Sequence, residues 1–120
     1  YINPVKSAPQ QYIWFRSKKK LGEDTALHQC LLAYASDMGL LSTAMNPHKL
    51  SFAKGNVQSA SLDHAMWFHR KLDLDGWFLY SIDSPVTRNA RGFSRGSIFS
   101  RDGKLIASCT QEGLIRLWEN

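Results

Sequence analysis

ALHQCLLAYASDMGLL, residues 26–41, is the stretch on which the fold turns. Leu27, Cys30, Leu31, Tyr34, Met38 and Leu41 recur at spacings of three and four, the period of a helix that lays one stripe against a core. Ahead of it, Gly22-Glu23-Asp24-Thr25 supplies helix-starting chemistry. Behind it, Asn46-Pro47 ends the run, because proline disfavours helical geometry in the residue before it. The spacing therefore predicts one long amphipathic helix over residues 24–45.

Working outward, the flanks read as strands. Tyr1 to Val5 is a possible first strand, and residues 11–18 a second, in which Tyr12, Trp14 and Arg16 alternate with Ile13, Phe15 and Ser17. Past a polar loop containing Lys54-Gly55-Asn56, residues 59–70 set Ala60, Leu62, His64, Met66 and Phe68 against Ser61, Asp63, Ala65 and Trp67; bulk on both sides predicts a central strand. Residues 73–76 read as a turn, 77–84 as a strand and 85–90 as an irregular edge or loop. Residues 91–100 and 104–117 form a hairpin around Asp102-Gly103, a dipeptide favoured where both central positions need positive φ. The order is that of an α+β domain whose antiparallel sheet wraps around the helix. The tail SRDGKLIASCTQEGLIRLWE looks like the end of a WD-repeat blade, but the chain has no internal repeat and a long helix has no place in such a blade.

Composition bounds the function. At 120 residues, 43% hydrophobic and 21% charged, the chain is one globular domain rather than a disordered or low-complexity segment. No apolar run approaches the roughly 20 residues of a membrane-spanning helix. Tyr1 is not an initiator methionine, so a piece of a longer or processed protein is expected. The +5 formal charge suits an anionic partner, yet it is scattered apart from Lys18-Lys19-Lys20, and no nucleic-acid-reading module appears. Cys30 and Cys109 lie in apolar surroundings without metal or redox spacing, which predicts two buried, reduced thiols inside a cell, with a single disulfide between them as the alternative. Among the histidines, His64 and His69 are five apart on one strand, point to opposite faces and share no ion; no metal is expected.

Asp37 is the most informative single residue, because it sits beside the helix's apolar stripe. Burying an ionised carboxylate is costly, so it either lies at the stripe's wet edge or has polar partners. Ser61 and Gln111, neutral polar residues in largely apolar strands, are the natural partners, or else ordinary structural hydrogen-bonders. A carboxylate, a hydroxyl and a carboxamide meeting at one point can hold a water while the carboxylate takes its proton. Arg88, Arg91 and Arg95, beside Gly92 and Gly96, suit phosphate recognition, but a solvated edge strand whose charges deter aggregation is the favoured reading of the residues alone.

These stretches together, ALHQCLLAYASDMGLL, SLDHAMWFHR (61–70), ARGFSRG (90–96) and DGKLIASCTQEGLIR (102–116), resemble the C-terminal half of the acyl-CoA thioesterase II family. Bacterial and peroxisomal members of that family carry two hotdog domains in one chain. The resemblance implies a hotdog fold: one long central helix wrapped by a curved antiparallel β-sheet, with residues 1–120 as a single such domain. It implies hydrolysis of medium- to long-chain fatty acyl-CoA to free fatty acid and coenzyme A, without a cofactor. The family's catalytic Asp, Ser or Thr, and Gln match Asp37, Ser61 and Gln111, and the three arginines would face the phosphates of coenzyme A. A non-catalytic hotdog module that binds acyl-CoA or mediates assembly is the alternative. The family's N-terminal hotdog domain has no counterpart in these residues, so pairing with such a domain, or a homo-oligomer, is expected. The cytosol and the peroxisome are both open, since the final residues, Leu117 to Asn120, form no peroxisomal tripeptide.

Overall fold

The computed structural model describes residues 8–48, 57–71 and 75–117. The strand expected at Tyr1 to Val5, the loop at 54–56 and the first half of the turn at 73–76 lie outside them. In chain order the elements are β1 (Gln10–Phe15), α1 (Thr25–Ser36), α2 (Leu40–Met45), a 3-10 turn (Asn46–His48), β2 (Val57–Ser61), β3 (Ala65–Phe68), β4 (Phe78–Arg88), β5 (Arg91–Ser100) and β6 (Leu105–Leu117). The strands form one antiparallel sheet in the order β1-β4-β5-β6-β2, with β3 also paired to β6. The helices lie against one face of this curled sheet, as expected.

Period-two alternation sorts the long strands. Phe78, Tyr80 and Ile82 of β4, Ile98 of β5, and Ala107 and Cys109 of β6 are buried together with Leu32 and Leu40. The inward face of β5 is otherwise small: Gly92, Ser94 and Gly96. That trough receives α2. A Cβ on Gly92 would lie 2.7 Å from the Ala44 Cβ, and one on Gly113 2.1 Å from Leu41 Cδ2, so α2 rests almost on the backbone of β5 and β6.

The predicted helix starts where it should. Asp24 is the N-cap of α1, and its carboxylate accepts from the N–H groups of Ala26 and Leu27. It does not run unbroken to residue 45. Asp37 caps the C-terminus of α1, Gly39 adopts φ 92°, and the chain re-enters a helix at Leu40. Only glycine takes that left-handed turn without strain. The break drops α2 onto the sheet.

The stripe is also not the buried one. His28, Leu32 and Ser36 face the core, whereas Leu27, Leu31, Tyr34 and Met38 are 41, 37, 72 and 55% exposed. Cys30 is exposed as well, and only Cys109 is a buried thiol. The physical reason lies on the sheet side. The inward residues of α1 meet specific partners there, such as the Tyr80 hydroxyl on the Ser36 carbonyl, and the broader apolar face is turned outward.

Three further expectations are corrected. Residues 59–70 are an edge rather than a central strand, split into β2 and β3. Between Ser61↔Gly113 and Ala65↔Thr110 the run Leu62 to His64 opposes only Glu112 and Gln111, which is a β-bulge. Leu62 and Asp63 both donate to the Glu112 carbonyl, at 3.0 and 3.4 Å, and the Glu112 N–H returns to Asp63 Oδ1 at 2.7 Å. Residues 85–88 continue β4: a register shift between Asp83 and Val86 absorbs Pro85, which has no N–H to give the ladder. The two-residue turn with positive φ at both positions is Asn89-Ala90, at 56° and 60°. The expected hairpin at Asp102-Gly103 is present, with positive φ at Gly103 alone.

Candidate active site

Asp37, Ser61 and Gln111 come together. All three line one open pocket of about 360 Å³, with Ala33, Tyr34, Leu62, Asp63 and His64. Asp37 reaches it from the break between α1 and α2, Ser61 from the last position of β2, and Gln111 from the middle of β6. The Ser61 hydroxyl donates to Asp37 Oδ1 at 3.3 Å. Gln111 is only 2% exposed and shares the inner face of the sheet with Ser94, its register partner on β5. Asp37 and Ser61 are open to solvent. The arrangement is a solvated carboxylate, a hydroxyl that fixes one of its oxygens, and a buried carboxamide.

The bulge makes this grouping possible. With strict alternation, Ser61 and His64 would face opposite sides of the strand, as the sequence alone suggests. The extra residue turns both toward the pocket. His64 is the residue that sequence reasoning passed over. Its Nδ1 lies 2.8 Å from Gln111 Oε1 and its Nε2 2.8 Å from the Ser36 hydroxyl. His69, by contrast, meets Ser108 at 2.9 Å. A histidine next to a bulge aspartate carries no spacing signal that would have marked it. Among the described residues no cluster of His, Cys, Asp or Glu could hold a metal ion.

Behind the pocket, Tyr80 braces the helix break. Its hydroxyl donates to the Ser36 carbonyl at 2.5 Å and lies 3.0 Å from Cys109 Sγ. Burial, reinforced by the contact with Cys109 and the charge of Asp37, holds the phenol far above its ordinary pKa, so it remains a donor. Burial likewise raises the Cys109 thiol.

The arginines stand elsewhere. Because Gly92, Ser94 and Gly96 face inward, Arg91 and Arg95 project from the opposite face of the sheet. Arg91 pairs with Glu112 at 3.1 Å, and Arg95 forms a fork with both oxygens of Asp83 at 2.8–3.1 Å. Arg88 lines a separate pocket of about 430 Å³ with Arg91 and Glu112. None of the three lines the pocket of Asp37.

A helix laid on a curled antiparallel sheet is the hotdog fold. A solved acyl-CoA thioesterase II from Mycobacterium marinum superposes with a TM-score of 0.84 and 44% identity, covering 95% of this chain and 43% of that one. The family model described as acyl-CoA thioesterase matches residues 4–114, and the chain belongs to that family. It is 44% identical over 98% of its length to acyl-CoA thioesterase 2 of Haemophilus influenzae, and 44% identical over 91% to acyl-coenzyme A thioesterase 8 of Mus musculus. It spans 41% and 34% of those two relatives, less than half of either. No helix among the described residues is long and apolar enough to cross a membrane.

Proposed function

We propose that this domain supplies the water-activating site of an acyl-CoA thioesterase acting on medium- to long-chain fatty acyl groups. The observation that carries the reading is the meeting of Asp37, Ser61 and Gln111 at one solvent-open pocket. Ser61 donates to Oδ1 of Asp37, which leaves Oδ2 to accept from a water. The Gln111 amide, held from behind through its oxygen, turns its NH₂ toward that water. The water oxygen attacks the thioester carbonyl carbon as its proton passes to Asp37. The tetrahedral intermediate then expels the coenzyme A sulfur, which takes up that proton, and the free fatty acid remains. A placed base contributes about 10²–10⁴-fold to such a step.

The exposed apolar face of α1 supports a second part of the proposal. Tyr34 and Leu62, both exposed, also line the pocket, so the site opens onto that face. Large apolar side chains grouped in this way mark an interaction surface. A second hotdog domain, supplied by a longer chain or by another copy, would cover the face and close an acyl cleft over the pocket. Residues 1–120 then correspond to one hotdog unit of a double-hotdog enzyme working inside the cell, where acyl-CoA is made.

The test is thiol release from dodecanoyl-CoA by the full-length protein that contains this domain. Asp37→Asn should lower kcat by about 10²–10⁴-fold while melting within a few degrees of the wild type. Folded Asp37→Asn with unchanged turnover would refute the mechanism. Acyl-CoA binding without consumption by the wild type would favour a non-catalytic module.

A further inference from the structure

We infer that His64 is a positioning residue that fixes which end of the Gln111 carboxamide faces the reaction. The inference rests on the hydrolase reading above and deepens it. Gln111 is buried, and an amide side chain can turn either its oxygen or its NH₂ toward the pocket. With the oxygen inward, it would confront the Asp37 carboxylate with a second acceptor and could donate nothing to a water. Its oxygen lies instead 2.8 Å from His64 Nδ1. A carboxamide oxygen only accepts, so Nδ1 carries the hydrogen and donates to it. The NH₂ is thereby left for the pocket.

The other ring nitrogen shows how this orientation is held. His64 Nε2 lies 2.8 Å from the hydroxyl of Ser36, which is also 2.7 Å from the Ala33 carbonyl. Ser36 has one hydrogen for the two. When it goes to Nε2, the ring is neutral with its hydrogen on Nδ1. When it goes to Ala33, Nε2 must itself carry a hydrogen. With the Gln111 oxygen facing Nδ1, both arrangements keep a hydrogen on Nδ1. Ser36 is fully buried, and its carbonyl is pinned by Tyr80. The result is a hydrogen-bonded chain from the end of α1 through Ser36 and His64 to Gln111, with its strand end at the bulge of residues 62–64.

Substitutions that restore one nitrogen at a time test this. Asparagine places its amide nitrogen where Nδ1 stood and can still donate to Gln111. Glutamine reaches the Nε2 position and meets Ser36 instead. In the full-length protein, with dodecanoyl-CoA, His64→Ala and His64→Gln should each lower kcat by about 10²-fold, the size of one lost catalytic hydrogen-bond donor, with KM little changed. His64→Asn should recover at least about a tenth of the wild-type kcat by restoring that donor. In a Gln111→Ala background, removing His64 should cost nothing further, because its effect passes through the amide.

A long-range proton–nitrogen spectrum of the wild type should show a hydrogen on Nδ1 of His64. A bare Nδ1, equal losses in His64→Asn and His64→Gln, or additive losses with Gln111→Ala would overturn the proposal. If the wild-type protein released no thiol at all, the hydrolase reading would fall and the catalytic consequence with it. The nitrogen spectrum would still decide separately whether His64 orients Gln111.

Discussion

Gly39→Ala tests the claim that the helix break is built by one residue. Gly39 sits at φ 92°, and a Cβ there would lie 3.0 Å from Ile13 Cδ1 and 3.1 Å from Ile82 Cδ1. Left-handed backbone costs an alanine about 1–2 kcal/mol, and pushing two packed methyl groups aside adds about 1–2 kcal/mol. Gly22 provides the control: its φ is 74°, yet nothing lies within 4 Å of a Cβ built on it. Gly22→Ala should therefore show the backbone cost alone. Both substitutions gain the same relief from a stiffer unfolded chain, which cancels in the comparison. At roughly 4 °C per kcal/mol for a domain of this size, Gly22→Ala should lower Tm by about 4–8 °C and Gly39→Ala by about 8–16 °C. Circular dichroism melts of the two variants read the difference directly. Equal losses, or a Gly39→Ala protein melting within about 2 °C of wild type, would show that the break does not depend on this conformation. Gly39→Ala should also reduce turnover more than Gly22→Ala, since Asp37 stands two residues away.

Two other outcomes are expected. Tyr80 and Cys109 both have raised pKa values when folded, so their contribution is intact at neutral pH and is lost as pH climbs past the unfolded thiol and phenol, near 8.5 and 10. Melts across pH 7–11 should show a decline that begins near 8.5 and steepens near 10, by up to about 1.4 kcal/mol per pH unit for each group, and Cys109→Ala should remove the earlier part. Leu31→Lys with Tyr34→Lys should weaken pairing with a second hotdog domain while leaving the α1 core contacts of Leu32 and Ser36 in place. Light scattering of an assembly between copies, or limited proteolysis between domains of a longer chain, reads that loss; unchanged assembly would place the interface elsewhere.

Much of the domain could be read from the chain, for reasons that differ by element. The β5–β6 hairpin was legible because turn chemistry and period-two burial agree over more than twenty residues. The start of α1 was legible because Asp24 carries its own capping group. The grouping of Asp37, Ser61 and Gln111 at one pocket was suggested by the resemblance of long motifs, since their separations say nothing about convergence. The buried face of α1 was not legible: apolar residues dominate the stripe that ends up outside, and the core side is built from His28, Leu32 and Ser36. Helical periodicity finds a face and cannot say whether the sheet or a partner covers it. The bulge at residues 62–64 escaped for a related reason. It depends on hydrogen bonds between Asp63 and Glu112, 49 residues apart, and no local pattern encodes them. His64 was hidden with it.

The tight corner between β4 and β5 leaves room for improvement. Ala90 holds φ 60° although its methyl group disfavours that conformation, and its carbonyl accepts from the Ile115 N–H of β6 at 2.7 Å. A neighbouring strand thus keeps an ill-suited residue in place, and the cost is borne on the rim of the domain, away from Asp37 and its pocket. Thermal tolerance is therefore open to tuning at that rim, since Ala90 lines no part of the pocket of Asp37.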